Sequence, residues 1–104
     1  MKVVAATACP SGVAHTYMAA EALEKAFKKA GHEIKVETQG SIGIENELTK
    51  ADIKDADYVV LTKDMGIKAE DRFEGKKIVR VSIGDAIKKS DALVKKLQAH
   101  MDSK

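Results

Sequence analysis

At 104 residues the chain is long enough for one hydrophobic core and too short for two, so residues 1–104 are read as a single domain. Hydrophobic residues make up 44% and charged residues 33%, the balance of a folded protein rather than a disordered one. Eighteen Lys and Arg against sixteen Asp and Glu leave a formal charge of +2, and aromatics are scarce, so neither charge nor a stacking surface speaks for a nucleic-acid partner. One cysteine excludes an internal disulfide and any zinc site with more than one thiolate ligand, and fits a reducing cytoplasm.

The chain alternates between strand-like and helix-like patterns. Lys2 to Ala8 is a Val-rich apolar run suited to a strand buried on both faces. Its apolar part is shorter than the roughly 7–15 residues an export signal needs, although Cys9 at its end loosely imitates a lipoprotein signal. No stretch approaches the ~20 apolar residues of a membrane span, so a membrane role must come through a partner and not by direct insertion. After a Pro-Ser-Gly turn, Thr16, Ala20, Leu23, Phe27 and Ala30 mark one face of a long helix, with Glu21/Lys25 and Glu24/Lys28 as i,i+4 pairs. Lys28 and Lys29 suit its C-terminal dipole, and Gly31 stops it.

Ile34, Val36 and Thr38 alternate, predicting a second strand over 33–38, followed by a flexible loop from Gln39 to Gly43. Thr49-Lys50-Ala51-Asp52 is a capped start to a short helix. A third strand is expected within 57–62 and a fourth at 78–81, separated by an irregular stretch broken at Gly66 and Gly75. The last helix is expected as one piece from Asp85 to Met101, with Ile87, Ser90, Val94, Leu97 and Met101 facing inward. The pattern predicts an α/β fold, a four-stranded parallel sheet covered by helices on both faces. Sites in such sheets lie beyond the carboxyl ends of the strands, where the loops at Cys9, Gln39 and Asp64 would emerge.

Chemistry concentrates at Ala8-Cys9-Pro10-Ser11-Gly12-Val13-Ala14-His15-Thr16. A cysteine between a strand and a helix start faces unpaired N–H groups, which lower a thiol pKa and favour the nucleophilic thiolate. The same donors can hold phosphoryl oxygens. Gly12 lets the chain curl, Ser11 and Thr16 add hydroxyls, and Pro10, lacking an N–H, contributes rigidity. A lone cysteine is often a small buried hydrophobe, but its setting between a buried strand and a long helix favours the nucleophile. Cysteine-dependent phosphatases place Arg after Cys and five residues; here His15 occupies that position and Thr16 follows. A histidine cannot reproduce the two-point grip of guanidinium on phosphate, so the loop is suited to carry a phosphoryl group and poorly equipped to hydrolyse it. A phosphatase and a non-catalytic phosphate-sensing module remain the alternatives.

Elsewhere, His15 either bonds a phosphoryl oxygen or only fills the helix entry, and His32 and His100 are read as surface residues. Gln39, Gly40 and Ser41 either shape a docking surface or form a structural turn. Asp64 would repel phosphate and is left out of the site. Lys88, Lys89, Lys95 and Lys96 fit a solvated helix face, and Met18 and Phe27 fit the core.

The stretch from Ala8 to Glu21 resembles the phosphorylation-site motif of the fructose-type enzyme IIB component of the bacterial sugar phosphotransferase system, with Ser11 where threonine is frequent. Val36-Glu37-Thr38-Gln39-Gly40-Ser41, Leu48-Thr49, Asp52-Ile53, Ala56-Asp57 and Arg72-Phe73-Glu74-Gly75-Lys76 extend the resemblance over nearly the whole chain. It implies that a phosphohistidine of the IIA component donates to Cys9, and that phospho-Cys9 passes the group to a sugar as the membrane component IIC imports it. It implies a four-stranded parallel α/β fold and a cytoplasmic protein held at the inner membrane face through IIC. No cofactor or metal is called for, since sulfur is the carrier.

Overall fold

The computed structural model describes residues 2–8, 13–40, 43–63, 66–67 and 70–102. Five strands form one mixed sheet: β1 (Lys2–Thr7), β2 (Glu33–Gly40), β3 (Gly43–Glu45), β4 (Tyr58–Thr62) and β5 (Ile78–Val81). Their spatial order is β3-β2-β1-β4-β5. β1 pairs in parallel with β2 and β4, β4 pairs in parallel with β5, and β3 runs antiparallel to β2. The helices are α1 (Val13–Lys29), α2 (Lys50–Asp55), α3 (Ile83–Lys88) and α4 (Ser90–Asp102), with a 3₁₀ turn at Glu70–Phe73.

The run Val3–Ala8 is the central strand and its continuation, buried throughout because apolar layers cover both faces. Val3 and Ala5 join Val36, Tyr58 and Val60 under α1, α3 and α4, where Leu23, Phe27, Ile83, Val94 and Leu97 close the layer. Val4, Ala6 and Ala8 pack with Val59 and Leu61 against Ile53 of α2 and Phe73. The end of α1 is tight: His32 N–H donates to the Phe27 carbonyl and Gly31 N–H to that of Lys28, with Gly31 at φ +85°.

Two expectations require correction. The sheet has five strands and is not all-parallel, because Gln39 and Gly40 continue β2 and Gly40 pairs with Gly43 across a hairpin. Gly43 enters β3 at φ +124°, a backbone conformation that favours glycine, so both glycines of the expected loop belong to paired strands. The last helix is two helices: Lys89 leaves helical geometry at φ −121°, ψ 26°, and Ser90-Asp91 begins a new first turn. Leu93 joins Val94 and Leu97 in the core, while Ser90 is half-buried.

Candidate active site

Six buried polar residues are found among those described, Thr7, Thr16, Glu37, Thr38, Gln39 and Thr62. All lie in the carboxyl halves of β1, β2 and β4 or in the first turn of α1. β1, β2 and β4 each carry a threonine near this edge, with Thr7 and Thr38 in direct register. Polar burial is costly, so its confinement to one edge marks where the fold departs from a purely apolar core.

Two of these threonines clamp the ends of the β1–α1 connection. The Thr62 hydroxyl accepts from Ala8 N–H at 3.0 Å and donates to the Ala8 carbonyl at 3.1 Å, tying the residue before Cys9 to the end of β4. The Thr7 hydroxyl donates to the Thr16 carbonyl at 3.2 Å, tying the end of β1 to the first turn of α1. Neither clamp is among the residues that the sequence singles out, although Ala-Thr-Ala-Cys and Leu-Thr-Lys at strand ends carry a signal for them.

Cys9, Pro10, Ser11 and Gly12 lie outside the described residues. Val13 and Ala14 open α1, and His15 is exposed on its first turn. Thr16 is 1% exposed, and its hydroxyl has no hydrogen-bond partner among the described residues. A buried hydroxyl in that state costs about 1–3 kcal/mol. The first turn of α1 contains no acidic residue, whereas those of α2, α3 and α4 carry Asp52, Asp85 and Asp91. The positive end of the longest helix is therefore left without a carboxylate of its own.

A second polar cluster braces the same edge from the opposite face. The Glu37 carboxylate, fully buried, accepts from both terminal nitrogens of Arg72, from Leu48 N–H at 2.9 Å and from Gln39 Nε2 at 2.7 Å. Burial alone pushes the Glu37 pKa up, but Arg72, Leu48 N–H and Gln39 outweigh it and hold the carboxyl below its ordinary value. Arg72 also lies over the Phe73 ring, 4.7 Å from its centroid. The cluster pins the 3₁₀ turn and the Leu48 segment to β2. Gln39 is thus turned into the fold rather than toward a partner; Gly40 belongs to β2, and Ser41 and Asp64 lie outside the described residues.

Phe27 is core, but Met18 is 50% exposed, beside Tyr17 at 36%, and so is corrected to a surface residue. Its place between buried Thr16 and Ala19 turns it away from the α1 stripe. His32 is only half-buried and bonds Gln98 at 3.1 Å, a structural contact away from the edge. His100 lies within α4, and Lys88, Lys89, Lys95 and Lys96 are exposed as expected.

Residues 4–96 match the family model described as "PTS system, Lactose/Cellobiose specific IIB subunit". The chain belongs to the PTS IIB family. Among its relatives, the "PTS system fructose-like EIIB component 2" of Escherichia coli K12 is 67% identical over 100 residues, covering 96% of this chain and 94% of that protein. The "Fructose-like PTS system EIIBC component" of the same organism is 48% identical, over 93% of this chain and 20% of its own length. The solved Enzyme IIB subunit of the PTS system from Escherichia coli K12 superposes with a TM-score of 0.92 at 40% identity, covering 98% of this chain and 94% of that one. The resemblance to fructose-type IIB domains therefore holds over the chain. PTS IIB components are sugar phosphotransferases, and the buried threonines and the Glu37–Arg72 cluster are the framework with which this IIB domain builds its carboxyl edge.

Proposed function

We propose that residues 1–104 form a fructose-type IIB module that takes a phosphoryl group from phosphohistidine of IIA onto Cys9 and passes it to a sugar during uptake through IIC. The observation that carries this reading is the buried Thr16 hydroxyl, without a partner among the described residues, in a helix first turn that has no acidic residue. A phosphoryl group on Cys9 answers both, supplying acceptor oxygens for the hydroxyl and negative charge for the dipole.

The Cys9 thiolate attacks phosphorus in line. The S–P bond forms as the N–P bond breaks, the electron pair returning to the imidazole nitrogen, which regains a proton. A sugar hydroxyl oxygen then attacks phosphorus, the S–P bond breaks, Cys9 leaves as thiolate and the hydroxyl proton passes to a base. Positioning and charge stabilisation are the protein's main tasks in such a transfer. Amides and hydroxyls of residues 11–16 supply them in this reading, Pro10 keeps the loop stiff, and no cofactor or metal takes part. Fructose or a fructose-like sugar is the acceptor, on the names of the relatives. In this reading the module meets the inner face of the membrane through IIC; no helix among the described residues is long and apolar enough to cross a membrane.

Incubation with phosphorylated IIA tests this reading. A stable adduct on Cys9, absent in Cys9→Ser and discharged only when IIC and sugar are added, is the expected result. Free phosphate released without an acceptor would establish a phosphatase instead, and an adduct that no sugar discharges would establish a regulatory module.

A further inference from the structure

Beside the candidate active edge, α1 and the β2–β3 hairpin enclose a groove of about 280 Å³. Tyr17, Glu21, Glu24, Thr38, Glu45 and Asn46 line it. The Tyr17 hydroxyl donates to Glu45 Oε1 at 2.8 Å and so ties the edge strand β3 to the helix. Three carboxylates thus border one concavity on a chain whose net charge is +2, so the acidity is local. Lys25 pairs with Glu21 at 2.9 Å on the exposed helix face. Glu24 makes no ion pair with the described residues, and the predicted Glu24–Lys28 pair does not form among them.

Thr38 provides an independent observation. It is 4% exposed, it lines the groove, and its hydroxyl has no hydrogen-bond partner among the described residues. A buried hydroxyl retains acceptor capacity, and the surrounding carboxylates favour a cationic donor. The Tyr17 ring, 36% exposed, adds a flat face on which a guanidinium can stack. Thr38 stands in register with Thr7, two residues before Cys9, so a cation held here sits next to the reacting edge.

We propose that this groove receives an arginine-bearing segment from the cytoplasmic loops of the membrane component IIC, and so registers Cys9 over the sugar site. The inference rests on the relay reading above and adds to it the face by which IIC is met. IIC is favoured as occupant because cytoplasmic loops of membrane proteins carry an excess of Lys and Arg, the charge complement of this groove. A relative whose printed name joins B and C components aligns over 93% of this chain, which fits a domain that must face its transporter.

The test measures two KM values for the intact chain: with phosphorylated IIA as donor, and as phosphorylated protein acting on membrane vesicles that carry the matching IIC and sugar. Glu21→Gln/Glu24→Gln should raise KM in the IIC step by about tenfold at low ionic strength and flatten its salt dependence. The IIA step should not share the effect. Thr38→Val should raise the same KM severalfold while the melting temperature holds or rises, since removing an unpartnered buried hydroxyl loses no bond. That combination separates docking from a merely structural role.

An unchanged KM and salt dependence in the IIC step for the double variant overturns the proposal, as does a defect confined to the IIA step, which would assign the groove to the donor. Failure of the relay reading itself is distinguishable, because the wild-type chain would then never be labelled on Cys9.

Discussion

The N-termini of α1 and α2 solve the same problem in opposite ways. Both have first-turn N–H groups that the helix cannot satisfy. α2 answers internally: the Thr49 hydroxyl accepts from Asp52 N–H at 3.1 Å, and Asp52 Oδ2 accepts from Thr49 N–H at 3.0 Å. Lys35 adds a bond to the same carboxylate at 2.7 Å, and these contacts drive the Asp52 pKa far below its ordinary value, the Lys35 bond most of all. α1 has no carboxylate in its first turn and keeps a buried hydroxyl without a partner among the described residues. A helix that completes its own cap is finished as a structural element, whereas α1 brings no carboxylate of its own to its first turn, which in the proposed relay leaves its dipole to the phosphoryl group.

Substitutions can break this contrast, and the largest effect is expected at Cys9. Cys9→Ser should reduce phosphoryl transfer to sugar by more than about a thousandfold, measured with IIA, IIC and sugar present, while leaving the melting temperature unchanged. Arg72→Met should be the most destabilising change at the edge. It strands the fully buried Glu37 charge and should cost about 3–5 kcal/mol by denaturant unfolding, much of it recovered in Glu37→Leu/Arg72→Met.

The same pair gives a pH signature. Glu37 titrates below its unfolded value in the folded state, so its contribution is fully present above the unfolded pKa and is lost as pH falls through the folded one. Melting temperatures should therefore fall below about pH 4, and less steeply in Glu37→Leu/Arg72→Met.

Smaller effects separate the two helices directly. Thr16→Val should slow phosphoryl transfer about tenfold, the worth of one bond to a charged group, without lowering stability. Thr49→Ala should do the reverse, losing about 1 kcal/mol of stability with no change in transfer. If the two variants behaved alike, the distinction between a helix start that serves transfer and one that serves the fold would fail.

Much of this arrangement is legible in the sequence because local chemistry dictates it. The capping box at Thr49 and Asp52, the stop at Gly31 and the buried run Val3–Ala8 each follow from residue type and spacing, and each is observed. What escapes is what depends on tertiary partners. β3 is exposed along its length, so no burial period announces it. Glu37 reads as an outward polar residue until Arg72, 35 positions away, is seen beside it. Thr7 and Thr62 look like ordinary strand residues until their hydroxyls are found on Thr16 and Ala8. In the loop itself the sequence speaks through Cys9 and its neighbours, and the structure contributes the frame on either side.

In the proposed relay the first turn of α1 holds the phosphoryl group. Backbone amide shifts of the isotopically labelled chain, recorded before and after phosphorylation by IIA, test it most directly. Large shifts are expected for Val13 to Thr16, with Lys50 to Asp52 unmoved. A chain phosphorylated on Cys9 whose α1 first turn does not respond would contradict it.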